Sequence, residues 1–115
     1  MNTVAMIDIV HLEKYVVGDD ALRDEILSIF SDQAQLLSEQ FSIEQTDEGW
    51  RDTAHTMKGA ARGVGAWLLG DLCEEAEDLV GQIPGKNEKR AALLVSIRAQ
   101  MTDTVCEAKR LRNLN

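Results

Sequence analysis

Apolar residues along this chain recur in steps of three and four, and strand signals are absent, so the pattern predicts amphipathic helices throughout. Asp8 can cap a short first helix that runs to Val16 and is ended by Gly18. Asp19 or Asp20 can start a long second helix, with Leu22, Ile26, Ile29, Phe30, Leu37 and Phe41 as its expected inner positions. That row has one long gap containing Gln33, and Gln40 also points near it, so the expected inner face is not wholly apolar. Thr46 is the expected cap of a third helix, and Asp47 and Glu48 in its first turn complement the positive end of its dipole. Its apolar stripe is Trp50, Ala54, Met57, Ala61 and Val64, and it should break near Gly63 or Gly65. A fourth helix turns Leu69, Leu72, Cys73, Ala76, Leu79, Val80 and Ile83 inward, with Asp71, Glu74, Glu75 and Asp78 outside. Pro84-Gly85 marks a turn, and Asn87 can cap a last helix. Along that helix Leu94, Ile97, Met101, Thr104, Ala108 and Leu111 form a narrow seam suited to bundle packing.

Four such helices joined by short connections pack most simply as an antiparallel four-helix bundle, with the short additional N-terminal helix over one end. An all-α fold also suits a composition low in aromatics and rich in Leu, Ala, Ile and Val. At 115 residues the chain has length for one core, and residues 1–115 are expected to form a single domain. A net charge of −8 argues against nucleic acid, which needs a basic surface. No apolar run approaches the roughly 20 residues that cross a bilayer, and the N-terminus lacks a secretory pattern, so no membrane association and a cytoplasmic location are expected. Cys73 and Cys106 make no disulfide framework; the first is expected buried and the second exposed.

Within the acidic chain, the third helix carries a second stripe off its apolar one: Arg51, His55, Lys58, Gly59 and Arg62. At helical spacing the three cations can reach over one patch around a solvent-facing histidine. Nearby cations disfavour imidazolium, keep the ring neutral and nucleophilic, and then offset negative charge placed on it. Gly59 costs about 1 kcal/mol relative to alanine inside a helix, and its missing side chain leaves room for another protein's backbone to approach. Together these suggest chemistry on an imidazole that must carry negative charge, as it would on accepting a phosphoryl group. On spacing alone, the same residues also fit an ordinary solvated helix face.

The run His55-Thr56-Met57-Lys58-Gly59-Ala60-Ala61, followed by Val64-Gly65-Ala66, resembles the signature of histidine-containing phosphotransfer (HPt) domains of two-component phosphorelays. Leu69, Leu72, Cys73 and Glu77 resemble the family's downstream positions, while Ala76 stands where a leucine is common. The resemblance implies that His55 is phosphorylated through its distal ring nitrogen, that Lys58 stabilises the phosphoryl group, and that Gly59 gives clearance. Arg62 and Arg51 gain nothing from the motif and rest on helical geometry. The family passes phosphoryl groups between aspartates of receiver domains, from a hybrid histidine kinase to a response regulator. The receiver supplies Mg²⁺ and the acidic cluster, so this chain needs no cofactor or metal of its own. It has no Gly-rich nucleotide loop, and is expected to be a stoichiometric, monomeric intermediate rather than an enzyme.

Two other readings compete. A helical adaptor could keep the bundle and pass no phosphate, against which His55, Lys58 and Gly59 are all in place. A metal-binding bundle is suggested by the D-x-x-H pairs Asp8-His11 and Asp52-His55, but His55 lies off the apolar stripe and matching glutamates are missing. His11 is otherwise an ordinary surface or end-cap residue. Trp67 is expected either to meet a receiver or to pack against the first helix.

Overall fold

Each helix starts where the sequence offers its free N–H groups an acceptor, with two exceptions. In the computed structural model, which describes residues 6–113, α1 spans Ile9–Val16, α2 Asp20–Gln40, α3 Asp47–Gly63, α4 Trp67–Glu77 and α5 Lys86–Arg112. The outermost residues of the expected 1–115 unit lie outside the described range. Asp8, Asp19 and Thr46 cap α1, α2 and α3 by accepting from the backbone N–H of His11, Leu22 and Gly49. The start of α4 has no side-chain cap. Asn87 does not cap α5: the helix begins one residue earlier, after Gly85 in the left-handed conformation, and Asn87 falls inside its first turn.

The helices form the expected antiparallel bundle, in the cyclic order α2, α3, α4, α5, with α1 laid on α2. Antiparallel pairing shows directly in the cross-links. Trp50 at the start of α3 meets Ala76 at the end of α4, and the Phe41 carbonyl after α2 accepts from Arg98 of α5. The α3 and α5 stripes are buried as expected, at Trp50, Ala54, Met57, Ala61 and Val64, and at Leu94, Ile97, Met101, Thr104, Ala108 and Leu111. On α4, Leu69, Cys73 and Ala76 are buried, but the helix ends at Glu77, so Leu79 and Val80 reach the core from the connection to α5. Cys73 is buried and Cys106 exposed.

The expected inner face of α2 needs correction. Leu22 and Ile29 are exposed, and the core line is Leu27, Phe30, Ala34, Leu37 and Phe41. These positions also step by three and four, on a face rotated from the expected one. Ser31 can be buried beside them because its hydroxyl donates to the Leu27 carbonyl at 2.9 Å. The long gap in the expected row is therefore filled by Ala34 and Ser31, while Gln40 is exposed and Gln33 only partly buried.

Trp50 ties four segments together. Its indole N–H donates to the Ala76 carbonyl at 2.7 Å, Phe41 packs edge-on at 5.0 Å, and the Arg90 guanidinium lies 4.7 Å above the ring. Burying a ring of this size and satisfying its polar handle contributes a few kcal/mol. Arg90, itself buried, donates to the Leu79 and Gln45 carbonyls and to Asp47.

Candidate functional site

The middle of α3 presents His55 outward because Ala54 and Met57, on either side of it along the helix, turn into the core. The His55 side chain is 71% exposed. At the position a Gly59 side chain would occupy, no neighbouring atom lies within 4 Å, so the surface one turn beyond the imidazole is open. Cross-helix contacts define the rest of the site. α3 packs most closely on α4, and that brings Glu77, the last residue of α4, against the histidine.

Glu77 divides its two oxygens between two partners. Lys58 Nζ lies 2.5 Å from Oε1, and His55 Nδ1 lies 3.5 Å from Oε2. Lys58 and Glu77 side chains are only 18% and 19% exposed, so this pair sits beneath the freely exposed imidazole rather than beside it in solvent. Oε1 is buried with no aligned hydrogen bond, and the Lys58 ammonium is its counter-charge. Burial is the largest influence on the Glu77 carboxyl and opposes ionisation. Lys58, and then His55, outweigh it and hold its pKa below the ordinary value. A carboxylate facing Nδ1 favours the ring tautomer with its proton there, which leaves the Nε2 lone pair facing outward.

The expected patch of free cations is thus altered. Lys58 is paired with Glu77, and Arg62 is drawn to α4, where its Nη2 lies 3.2 Å from Glu74 and 3.6 Å from Asp71. The Arg62 stem also lies over Gly70, where a Cβ would come within 2.9 Å of its Cγ. Arg51 is exposed and makes no ion pair among the described residues. The acidic outer side of α4 supplies the partners of Arg62. Sequence spacing identifies which residues share a face of one helix, but not which charges a neighbouring helix brings to it. Glu77 carried one signal, its place in the motif, and no signal of its contact with His55.

The other singled-out residues gather at the α1 end. Trp67 packs on the first helix: its indole N–H donates to Asp8 at 2.9 Å, and its ring meets His11 at 4.8 Å. His11 also contacts Tyr15 at 5.0 Å. Among the described residues no group of three or more His, Cys, Asp or Glu side chains is placed to hold a metal ion. Nor is any helix there long and apolar enough to cross a membrane. Cys73, behind Lys58 and Glu77 in the core, has its thiol pushed up to about 12 by burial and the nearby Glu77 charge, so it stays protonated.

Comparison with known proteins gives this geometry a family. A family model described as the Hpt domain matches residues 21–110. The fold also matches the crystal structure of the histidine phosphotransferase ShpA from Caulobacter crescentus, with 36% sequence identity and a TM-score of 0.57 over 90% of this chain and 98% of that one. No match was found among curated protein sequences. The family model spans α2 through nearly all of α5, well over half of the chain, and takes in the exposed histidine and its lysine and glycine neighbours. The chain belongs to the histidine-containing phosphotransfer (Hpt) domain family, and its role is histidine phosphotransfer in a phosphorelay.

Proposed function

We propose that His55 accepts a phosphoryl group from the aspartyl phosphate of a receiver domain, such as that of a hybrid histidine kinase, and passes it to the aspartate of a response-regulator receiver. The observation that carries this reading is the pairing of an exposed imidazole with a carboxylate at its Nδ1 and open surface at Gly59. Nε2 attacks phosphorus in line with the breaking bond to the aspartyl oxygen, and the aspartate leaves as carboxylate. Lys58, one turn along α3, is within reach to offset charge on the transferred group. Exposed apolar side chains on α1 and α2, among them Val10, Leu22 and Ile29, offer a protein partner contact area beyond the histidine. Mg²⁺ and the acidic cluster come with the receiver, and the chain acts as a cytoplasmic monomer without ATP.

Incubation with a radiolabelled phospho-receiver, without nucleotide, tests this. Label is expected to move to this chain in an acid-labile, base-stable form and onward to a second receiver. Transfer that persists in His55→Gln would refute the assignment.

A further inference from the structure

We propose that the furrow between α4 and α5 is a second protein-docking surface, which takes a basic amphipathic helix of a partner while His55 stays free. Two adjoining hollows of about 550 and 500 Å³ run along it and share Glu75 and Ser96 in their walls, so they form one continuous groove. It opens there because α4 packs much more closely on α3 than on α5. The α5 residues that face it are small: Ala92, Ser96 and Ala99, all exposed and spaced by four and three along one side of the helix. Leucines supply the apolar surface. Leu72, Leu79 and Leu93 are only partly buried against the core, and Leu68 is exposed. An apolar base with room above small side chains lets another helix approach closely.

The walls select the kind of segment that fits. Both are helices whose backbone groups bond within themselves, so an extended peptide laid on the apolar base would leave its own N–H and C=O groups without partners. A helix satisfies its own. The groove follows α4 from Leu68 and continues past its end to Leu79, a length of roughly 16 Å or about three helical turns. Charge selects the sign. Asp71, Glu75 and Asp78 stand on the α4 wall, with Lys89 facing them from α5. Arg62 engages Asp71 from α3, whereas Glu75 and Asp78 make no ion pair among the described residues. Lys or Arg beside the apolar stripe of a partner helix complements this wall, whereas a second copy of the chain brings a like net charge of −8. At the Leu68 end, Oε1 of Gln100 is buried with no donor, and a side-chain N–H of the occupant can supply one. Around α4, Glu77 turns toward α3 and His55, while Leu68, Leu72 and Glu75 turn toward α5. An occupant therefore lies across α4 from the imidazole, and its binding does not depend on what His55 carries.

The test is a selection from a displayed library of helical peptides about five turns long, with leucine fixed along one stripe and Lys, Glu, Gln or Ala at the flanking positions. Selection is on the full wild-type chain, after depletion on Ser96→Trp, which fills the groove from an exposed position. Lys-flanked sequences are expected to be enriched and to bind the wild-type chain at least about tenfold more tightly than Ser96→Trp. Glu75→Lys combined with Asp78→Lys leaves the groove open and reverses its wall. It should weaken the same peptides by about tenfold or more, and it carries the test should Ser96→Trp fail to fold. With peptide bound, backbone amide shifts are expected at Leu72, Leu79, Ser96 and Ala99, and none at His55 or Gly59. No enrichment over the depletion step, enrichment of Glu-flanked or uncharged sequences, or shifts centred on α1 and α2 would each overturn the proposal. So would a dimeric mass of the wild-type chain alone that is lost in Ser96→Trp, because the groove would then belong to a second copy.

Discussion

His55 was identifiable from its own helix, because Trp50, Ala54, Met57 and Ala61 define a core stripe that it lies off, and all of them are buried. Lys58 and Gly59 were legible for the same reason. The contact of Glu77 with His55 was not, since a contact between residues on two helices depends on how α3 and α4 rotate against each other. Arg62 shows the same limit: intrahelical spacing puts it near His55, and the stronger pull of Glu74 and Asp71 takes it away. Gly59 is where residue-scale reasoning makes its firmest demand. Open space at its missing Cβ, on the exposed face of α3, lets a side chain start there without a clash, and Gly59→Leu gains up to about 1 kcal/mol of helix propensity. The variant should melt at or slightly above the wild-type temperature while losing at least tenfold in transfer rate from a phospho-receiver. Unchanged transfer would mean that no partner backbone approaches there.

Among the elements, caps announce themselves well when a short polar side chain does the work, as at Asp8, Asp19 and Thr46, and poorly when backbone conformation does. Gly85 is of the second kind, whereas Gly65, whose backbone also closes a helix, stood out as one of the two expected breaks of α3. Gly65 ends α3 with φ +76°, and the paired bonds from Gly65 N–H to the Arg62 carbonyl and from Ala66 N–H to the Ala61 carbonyl form a Schellman closure. The same glycine accepts from the Asp8 N–H at 2.9 Å, and a Cβ on it would stand 2.8 Å from the Asp8 Cβ. It therefore fixes both the α3–α4 turn and the seat of α1. Gly65→Ala should cost about 1–3 kcal/mol, read from chemical denaturation, because a left-handed conformation and a backbone clash act together. A neutral result would detach α1 from this turn. The rotated face of α2 teaches a related lesson. Leu22 and Ile29 are large, apolar and exposed, whereas Ser31 and Ala34 are small and inside, so size-weighted hydrophobicity found Phe30, Leu37 and Phe41 but misplaced the edge of the face.

Over the whole molecule, the end of the bundle remote from α1 is held by a polar knot that apolar periodicity did not reveal. Arg90 keeps the register of the α5 seam, four residues before Leu94, and is buried against Trp50 with its donors on Leu79, Gln45 and Asp47. Asp47 also accepts from Lys86 and the Gly81 N–H; Lys86 first, then Gly81, with Arg90 adding to them, bring its pKa down to about 2 from 3.8. Because the folded value is the lower one, Asp47 contributes its full stabilisation above the unfolded value, and loses it as pH falls through that value toward about 2. Melting temperature followed from about pH 5 downward should therefore drop less steeply in Asp47→Asn than in the wild-type chain, from a lower starting point. Equal slopes would show that this knot does not stabilise the fold. The bundle leaves His55 exposed near the middle of α3 and sets a shielded carboxylate from α4 against it. The most direct measurement of that account is to map the phosphoryl group on the intact chain after incubation with a phospho-receiver, by ³¹P–¹⁵N NMR. A single N–P linkage at Nε2 of His55 is expected; a phosphoryl group on Nδ1 or on any other residue would contradict it.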